Sequence, residues 1–346
     1  MKTIDLRSDT VTLPTQTMRE AIFHAELGDD VFGEDPTTNR LEKMAAELMG
    51  KEAAILVASG TMGNLVSVLT HCRRGEEVIL GDQSHTFLYE AGGMSAVGGI
   101  HPRTIVNQPD GTMRLEDIQA AIRGSNLHFP RSRLICLENT HNRCYGSALT
   151  PRYTESVAKL AGERGLRIHL DGARIFNAAV ALGVDIKELT HHADSVSFCL
   201  SKGLSSPIGS IICGSGKFIA EARRNRKVLG GGTRQSGIIA AAGIEALEHM
   251  VNRLAEDHQN ARRLAEGIAR IPGLSLDLEK IQTNIVYFDM ADDRFTAGKL
   301  VTQLADRGIK ILQVAPKRLR AVTHYGISAD DIDSALAVIS EAMARS

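Results

Sequence analysis

The chain contains no tryptophan and only 4% aromatic residues, and its 40 lysines and arginines nearly balance its 41 aspartates and glutamates. The formal net charge of −1 argues against a nucleic-acid binder or a membrane-surface protein, because both need a clear positive excess. No run approaches the ~18 consecutive apolar residues of a membrane span. The first residues, MKTIDLRSDT, contain no apolar signal region. We therefore expect a cytoplasmic protein that binds neither nucleic acid nor membrane.

The motifs of several common cofactor sites are also missing. The five cysteines show no C-x-x-C spacing, so we expect reduced cysteines and no metal site. No G-x-G-x-x-G follows a strand-like run, which argues against a nicotinamide enzyme, and the segment CGSGKF (213–218) lacks the first glycine of a phosphate-binding P-loop. The chemistry has to come from other residues.

Strand-like apolar runs alternate with helix-like runs from about residue 40 to 215 of the 346 residues. The alternation predicts an α/β layer with a mostly parallel sheet. The strand-like runs cover 53–59, 76–82, 132–139, 166–172, 194–201 and 209–215, and helical patterns cover 41–50 and 154–165.

The last third of the chain has a different pattern. Residues 240–273 read as a long helix or a helix pair that ends at Pro272-Gly273. The runs TNIVYFDM, IKILQVA and RLRAVTH follow, and a helical pattern begins at about residue 328. We predict a large domain over 1–245 and a smaller α+β domain over 246–346.

A lysine and an aspartate stand where two of these apolar runs end. Lys202 follows the run SVSFCLS in a Ser-Lys-Gly turn, and Asp171 ends the run LRIHLD. Ligands of open α/β sheets bind outside the carboxyl ends of the strands, and the 31-residue interval suits a helix and a strand that return to the same sheet. For either residue alone, a lysine that ends a strand or an aspartate that caps a helix is the simpler interpretation.

Two further segments carry groups suited to a ring with a phosphate. ASGTMGN (58–64) joins a strand-like run to a helical run, and the free N–H groups of a helix start attract phosphate. His85 follows the run EEVILGD, where its ring could stack on another ring. A phosphate cradle, an acid for a pyridine nitrogen, a stacking ring and an imine-forming lysine together are what pyridoxal phosphate needs.

The chain resembles the low-specificity L-threonine aldolases, which are pyridoxal-phosphate enzymes of the aspartate-aminotransferase-like fold, fold type I. The resemblance runs nearly end to end. It is carried by DLRSDTVTLPT (5–15), GDDVFGEDPTTNRLE (28–42), SGTMGN (59–64), LENTHN (137–142), HLDGARIFNAAV (169–180), CLSKGL (199–204), GGGTRQSG (230–237) and RAVTH (320–324).

The resemblance implies a mostly parallel seven-stranded sheet between helices in the large domain. It implies a carbon–carbon lyase that cleaves L-threonine and L-allo-threonine to glycine and acetaldehyde. Another fold-type-I reaction, catalysed by a β-eliminating lyase or an aminotransferase, is the alternative. Phe32 stands where many relatives carry tyrosine, and Thr233 stands where methionine is common.

Roles for individual residues follow from the same resemblance. For the cofactor, the resemblance implies that Lys202 attaches it covalently, Asp171 pairs with its pyridine nitrogen and His85 stacks on its ring. Gly60 and Thr61 would bind its phosphate, and Arg174 would lie near its 3′-oxygen. Lys227 and Arg234 would contact the phosphate from a neighbouring subunit. The roles implied for the substrate are carboxylate binding by Ser8, Arg174 and Arg320, pocket contacts by Tyr89 and His128, and proton transfer by His85 or His128. The implied assembly is a homodimer with shared active sites, commonly paired into a tetramer.

Overall fold

The computed structural model describes residues 2–291 and 296–344. Its strands are β1 (Ile4–Asp5), β2 (Ala53–Val57), β3 (Glu77–Gly81), β4 (His101–Ile105), β5 (Ser132–Glu138), β6 (Arg167–Asp171), β7 (Ser195–Cys199), β8 (Ser210–Gly214), β9 (Leu274–Ser275), β10 (Ile285–Met290), β11 (Ile309–Lys310), β12 (Leu312–Gln313) and β13 (Arg318–Val322).

The helices are α1 (Gln16–Phe23), α2 (Pro36–Met49), α3 (Gly60–His71), α4 (His85–Leu88), α5 (Gly93–Ala96), α6 (Leu115–Ala121), α7 (Pro151–Glu163), α8 (Ile175–Leu182), α9 (Ile186–Thr190), α10 (Gly216–Val228), α11 (Gly237–Glu245), α12 (Leu254–Ile268), α13 (Ala297–Asp306) and α14 (Ala329–Ala344). Short 3-10 turns cover Asp9–Val11, Asp30–Phe32 and Leu278–Lys280, and a π turn covers Ala246–Met250.

A seven-stranded sheet in the order β2-β8-β7-β6-β5-β3-β4 forms the centre of the fold. Only β8 runs antiparallel to its neighbours among these strands, and the other pairs are parallel. The predicted mostly parallel sheet is therefore confirmed. Each of the six predicted apolar runs forms a strand of this sheet, whereas the edge strand β4 was not predicted.

Local signals explain where the helix before β6 begins and ends. The predicted helix over 154–165 begins earlier, at Pro151, because the Thr150 side chain accepts the N–H of Tyr153 as a cap. It ends before Gly165, whose φ of +68° lies in the left-handed region that favours glycine. The chain then enters β6, which carries its residues toward Asp171.

The C-terminal region forms a second sheet, with the order β12-β13-β10-β9 and antiparallel pairing. Helices α12, α13 and α14 pack on it around a separate apolar core. Ile4 and Leu6 belong to that core, and β1 pairs in parallel with β11. The predicted smaller α+β unit is confirmed, and residues 240–273 form a helix pair, while the boundary at 245/246 stays a prediction.

The topology decides where a ligand can bind. β5, β6 and β7 lie side by side and parallel, so Glu138, Asp171 and the turn after Cys199 meet at one edge. The second sheet brings β13 to this edge, because the N–H of Val322 donates to the carbonyl of Leu6. Within the residues the structure describes, no helix has the length and apolar character needed to cross a membrane.

Candidate active site

A cleft of about 460 Å³ lies at this edge, between the large sheet and the C-terminal strands. It brings together the predicted site residues Ser8, His85, Tyr89, Arg174, Lys202 and Arg320, and it is also lined by Thr10, Asn142, Arg143, Tyr287, Leu312, Gln313 and Val314. A larger cavity of about 760 Å³ lies between α2 and α8 and holds none of the predicted site residues. We assign the site to the smaller cleft because the titratable groups converge there.

Lys202 lies in the turn that follows β7. The Thr12 hydroxyl and the Ser205 N–H both donate to its carbonyl, at 3.1 and 2.9 Å, and so fix the turn. In the described part of the chain, its ammonium forms neither an ion pair nor a hydrogen bond. An amine that lines a cleft without a partner is free to bind an aldehyde covalently.

Asp171 is buried at the end of β6, with 4% of its surface exposed. The Asn64 side-chain amide donates to its Oδ2 at 2.8 Å, and the N–H of Ala173 donates to its Oδ1 at 3.0 Å. Both contacts donate to the carboxyl oxygens and so fix the orientation of the side chain. The position therefore suits an acid that pairs with a cationic ring nitrogen.

His85 begins α4, directly after β3. Its N–H donates to Glu138 at 2.7 Å, and its Nδ1 lies 2.8 Å from Oε1 of Glu90. One polar atom from each of His85, Glu90 and Asp171 lies within 4.8 Å of the other two. The imidazole of His85 is thus held at the edge of the sheet, close to Asp171.

The start of α3 offers free backbone donors near the same edge. Ser59 caps the helix by accepting the N–H of Met62 at 3.2 Å. Among the described residues, the N–H groups of Gly60 and Thr61 have no acceptor. A Cβ on Gly60 would lie 2.9 Å from Sγ of Cys199, so glycine lets the helix start pack against β7. Free N–H groups at a helix start bind phosphate.

Arg174 is buried and forms a bidentate ion pair with Asp9, at 2.6 and 2.7 Å. Although burial opposes it, the charge of Arg174 lowers the pKa of Asp9 well below its ordinary value. Ser8 precedes Asp9 and accepts the N–H of Thr10. The N-terminal segment therefore anchors a guanidinium at the wall of the cleft.

Arg320 approaches the cleft from β13. Its Nη1 donates to Asn142 at 3.0 Å and its Nη2 donates to the carbonyl of Arg7 at 3.1 Å. Its Nε is buried and has no hydrogen-bond partner within the described ranges. A buried donor without an acceptor costs free energy, so the group is suited to an anionic ligand.

We expect Arg320→Ala to raise KM for the amino-acid substrate ~10- to 100-fold, because a charge-assisted hydrogen bond contributes about 1.5–3 kcal/mol. Steady-state kinetics measures the change, and kcat should fall less than kcat/KM. Arg318→Ala is the matched control, because Arg318 lies two positions away on β13 and pairs with Asp289 at 2.8 Å. An unchanged KM in Arg320→Ala would remove this residue from the substrate site.

Six predicted site residues are not part of the cleft lining. Gly60 and Thr61 lie at the start of α3 and Asp171 lies at the end of β6, and the other three lie elsewhere. His128 is exposed in the segment between α6 and β5, beside Leu127, which is 98% exposed. Lys227 is exposed at the end of α10, and Arg234 pairs with Asp29 at 2.9 Å. The structure does not bring these three residues to the cleft of their own chain. Their implied roles stay predictions.

Phe32 lies beside Arg234. The phenyl ring is 72% exposed, and the guanidinium carbon of Arg234 lies 5.9 Å from its centroid. A phenyl ring can form this cation–π contact without a hydroxyl group. The departure at position 32 therefore leaves the placement of Arg234 intact.

Sequence reasoning missed several residues that position the site. Asp9 and Asn64 lie in segments that carry the resemblance, Glu90 follows His85 by five residues, and each hydrogen-bonds to a predicted site residue. Arg143 was also missed, and it donates to the Tyr89 hydroxyl at 2.8 Å. The signal that could have identified these residues is a polar side chain among small or apolar neighbours in the same segment.

Comparison with known proteins decides the family. A probable low-specificity L-threonine aldolase 2 from Arabidopsis thaliana is 52% identical over 340 residues, which is 97% of this chain and 96% of the relative. The low specificity L-threonine aldolase of Escherichia coli (strain K12) is 45% identical over 329 residues, which is 95% of this chain and 96% of that protein. The chain belongs to the low-specificity L-threonine aldolase family.

The wider family and the fold agree with this membership. A model of the beta-eliminating lyase family matches residues 5–291 of this chain. A structure of Leishmania major threonine aldolase has the same fold, with a TM-score of 0.85, 18% identity, and coverage of 98% of this chain and 99% of that one. The predicted family and fold type I are confirmed. The relatives support an aldolase rather than the alternative of a β-eliminating lyase or an aminotransferase.

Proposed function

We propose that the protein cleaves L-threonine and L-allo-threonine, and related L-β-hydroxy-α-amino acids, to glycine and an aldehyde with pyridoxal 5′-phosphate as cofactor. The observation that carries the proposal is the ammonium of Lys202, which has no partner within residues 2–291 and 296–344, in one cleft with Arg174 and Arg320. An amine for the aldehyde and two guanidiniums for a carboxylate are what an amino-acid substrate of such an enzyme requires.

The residues present fit the cofactor. Lys202 would hold its aldehyde carbon covalently, Asp171 would pair with its ring nitrogen and the imidazole of His85 would cover its ring. The free N–H groups of Gly60 and Thr61 would bind the phosphate. When bound, the cofactor supplies a ring that accepts the electron pair of the breaking Cα–Cβ bond.

The remaining residues act on the substrate. Arg320 and Ser8, with Arg174 held by Asp9, would bind the carboxylate and so fix which bond at Cα faces the ring. His85, His128 or a water molecule held by them would take the proton of the β-hydroxyl. Tyr89, in contact with Arg143, would line the space for the aldehyde portion.

The assembly belongs to the same proposal. Arg234 and Lys227 are exposed on their own chain, which suits phosphate contacts in the active site of a second copy. We propose that the protein is a cytoplasmic homodimer with shared active sites. Two such dimers associate into a tetramer.

Acetaldehyde release from the four separate stereoisomers of threonine tests the function. We expect L-threonine and L-allo-threonine to give equal amounts of glycine and acetaldehyde, and the two D isomers to give neither. Release of ammonia and a keto acid, without glycine, would contradict the aldolase assignment. Chromatography of the amino-acid products together with an aldehyde assay distinguishes these results.

A further inference from the structure

Behind His85 lies a carboxyl group to which the proposed reaction gives no role. Glu90 follows α4, and 6% of its surface is exposed. Its Oε1 lies 2.8 Å from Nδ1 of His85. In the described part of the chain, Nε2 of His85 has no hydrogen-bond partner, and the side chain is 30% exposed at the cleft. Nε2 is therefore the ring nitrogen that remains available to a ligand.

The position of Glu90 is itself fixed from the opposite side. The side-chain amide of Asn64 donates to Oε1 of Glu90 at 2.7 Å and to Asp171 at 2.8 Å. The amide oxygen of Asn64 accepts a hydrogen bond from the Ser197 hydroxyl at 2.8 Å and lies 3.1 Å from Nε2 of His169. Asn64 is thus oriented with both N–H bonds toward the two carboxylates, which makes Glu90 an acceptor for His85.

We propose that Glu90 is a positioning residue for the aldol cleavage, whose buried carboxylate holds Nδ1–H of His85 so that Nε2 faces the substrate as the proton acceptor. The inference rests on the proposed function for the reaction itself, but the tautomer of His85 can be tested without it. A carboxylate behind an imidazole fixes both the tautomer and the ring orientation.

The proton transfer then balances in one step. The β-hydroxyl proton moves to Nε2 of His85, the O–H electron pair completes the aldehyde carbonyl, and the Cα–Cβ bond breaks. The electron pair of that bond passes to Cα, where the ring of the bound cofactor would delocalise it, and Cα then takes up one proton to give glycine. The proton gained at Cα balances the proton that His85 took from the hydroxyl.

The charges of His85 and Glu90 affect each other. Burial and the charge of Asp171 raise the pKa of Glu90, and the hydrogen bonds from His85 and Asn64 oppose that rise and stabilise the carboxylate. Burial alone would lower the pKa of His85, but the hydrogen bond to Glu90 and the negative charge of Asp171 raise it above its ordinary value. Lys202 acts in the opposite direction. Glu138, which accepts the N–H of His85, is the other charged group in contact with it. A higher pKa makes the neutral imidazole a stronger base.

Nuclear magnetic resonance of the full-length holoenzyme, with ¹⁵N-labelled histidine, tests the positioning directly. The His85→Asn spectrum identifies the His85 signals. We expect neutral His85 to carry its proton on Nδ1. A proton on Nε2 would overturn the proposal, whether or not the protein is an aldolase.

Glu90→Gln provides the second measurement, because it keeps the shape of the side chain and removes the charge. We expect the pKa of His85 to fall, because the acceptor of its Nδ1–H loses its negative charge. The acid limb of kcat/KM should move to lower pH by the same amount, and kcat should fall about 10-fold or more because the base is weaker. Glu90→Asp, which keeps the charge, should recover part of the shift.

Glu42→Gln is the matched control, because Glu42 is a buried carboxyl that pairs with Arg223 away from the cleft. It should leave both the pKa of His85 and the acid limb where they are. An active Glu90→Gln enzyme with an unchanged His85 pKa would reject the role of Glu90. Absence of aldehyde release from the wild-type protein would instead reject the proposed function.

Discussion

Lys202→Ala is expected to lose nearly all aldolase turnover, with kcat lower by more than ~10²-fold, which corresponds to a barrier higher by more than about 2.7 kcal/mol. The physical reason is that Lys202 is the cleft amine without a partner in the described residues, so nothing else at that position can bind the cofactor aldehyde covalently. The variant should also lose the visible absorbance of a covalently attached cofactor.

Borohydride reduction followed by peptide mass spectrometry checks the same assignment in the wild-type enzyme. The reduced cofactor should be found on the peptide that contains Lys202. Lys217→Ala is the matched control, since Lys217 is exposed on α10, away from the cleft. A reduced adduct on any other lysine, or full turnover in Lys202→Ala, would refute the assignment.

The sequence predicted those parts of the site that depend on the order of strands. Lys202 and Asp171 each follow an apolar run, and adjacent parallel strands carry their ends to one edge. The interval between them contains α8 and α9, as expected for a crossover between β6 and β7. Such placements follow from local pattern and topology alone.

Contacts between distant segments could not be predicted in this way. Asp9 and Arg174 are 165 residues apart, and their ion pair exists only because β1 joins the C-terminal sheet region and brings residue 9 back to the cleft. The edge strand β4 was missed because its residues are partly exposed and contain Pro102, which leaves no continuous apolar run.

The same limitation applies to Glu90 and Asn64. Asn64 lies in a motif that matched the family and Glu90 lies five residues after His85, but the sequence does not say which polar residue of such a segment turns inward. Burial and the shared hydrogen bonds settle that question for both residues. His128 shows the opposite case, because the resemblance gives it a role in the substrate pocket and it lies outside the cleft of its own chain.

Asp171→Asn tests the electrostatic part of the site. The substitution keeps the size of the side chain but removes the negative charge that would stabilise a proton on the ring nitrogen. Breaking a buried ion pair in this way costs about 3–5 kcal/mol, and about 1.4 kcal/mol is tenfold in rate. We therefore expect kcat to fall ~10²–10⁴-fold, while Lys202 still binds the cofactor.

The network around Asp171 makes that loss hard to compensate. Asn64 is held by Ser197 and His169 so that it donates toward position 171, and an asparagine there would have to turn its own oxygen toward that amide. Its NH₂ group would then replace Oδ1, which accepts the N–H of Ala173, and would offer no acceptor to a protonated ring nitrogen. Asp289→Asn is the control, because Asp289 pairs with Arg318 outside the cleft lining. If Asp171→Asn kept the wild-type kcat at saturating substrate, a charge at this position would not be needed for the reaction.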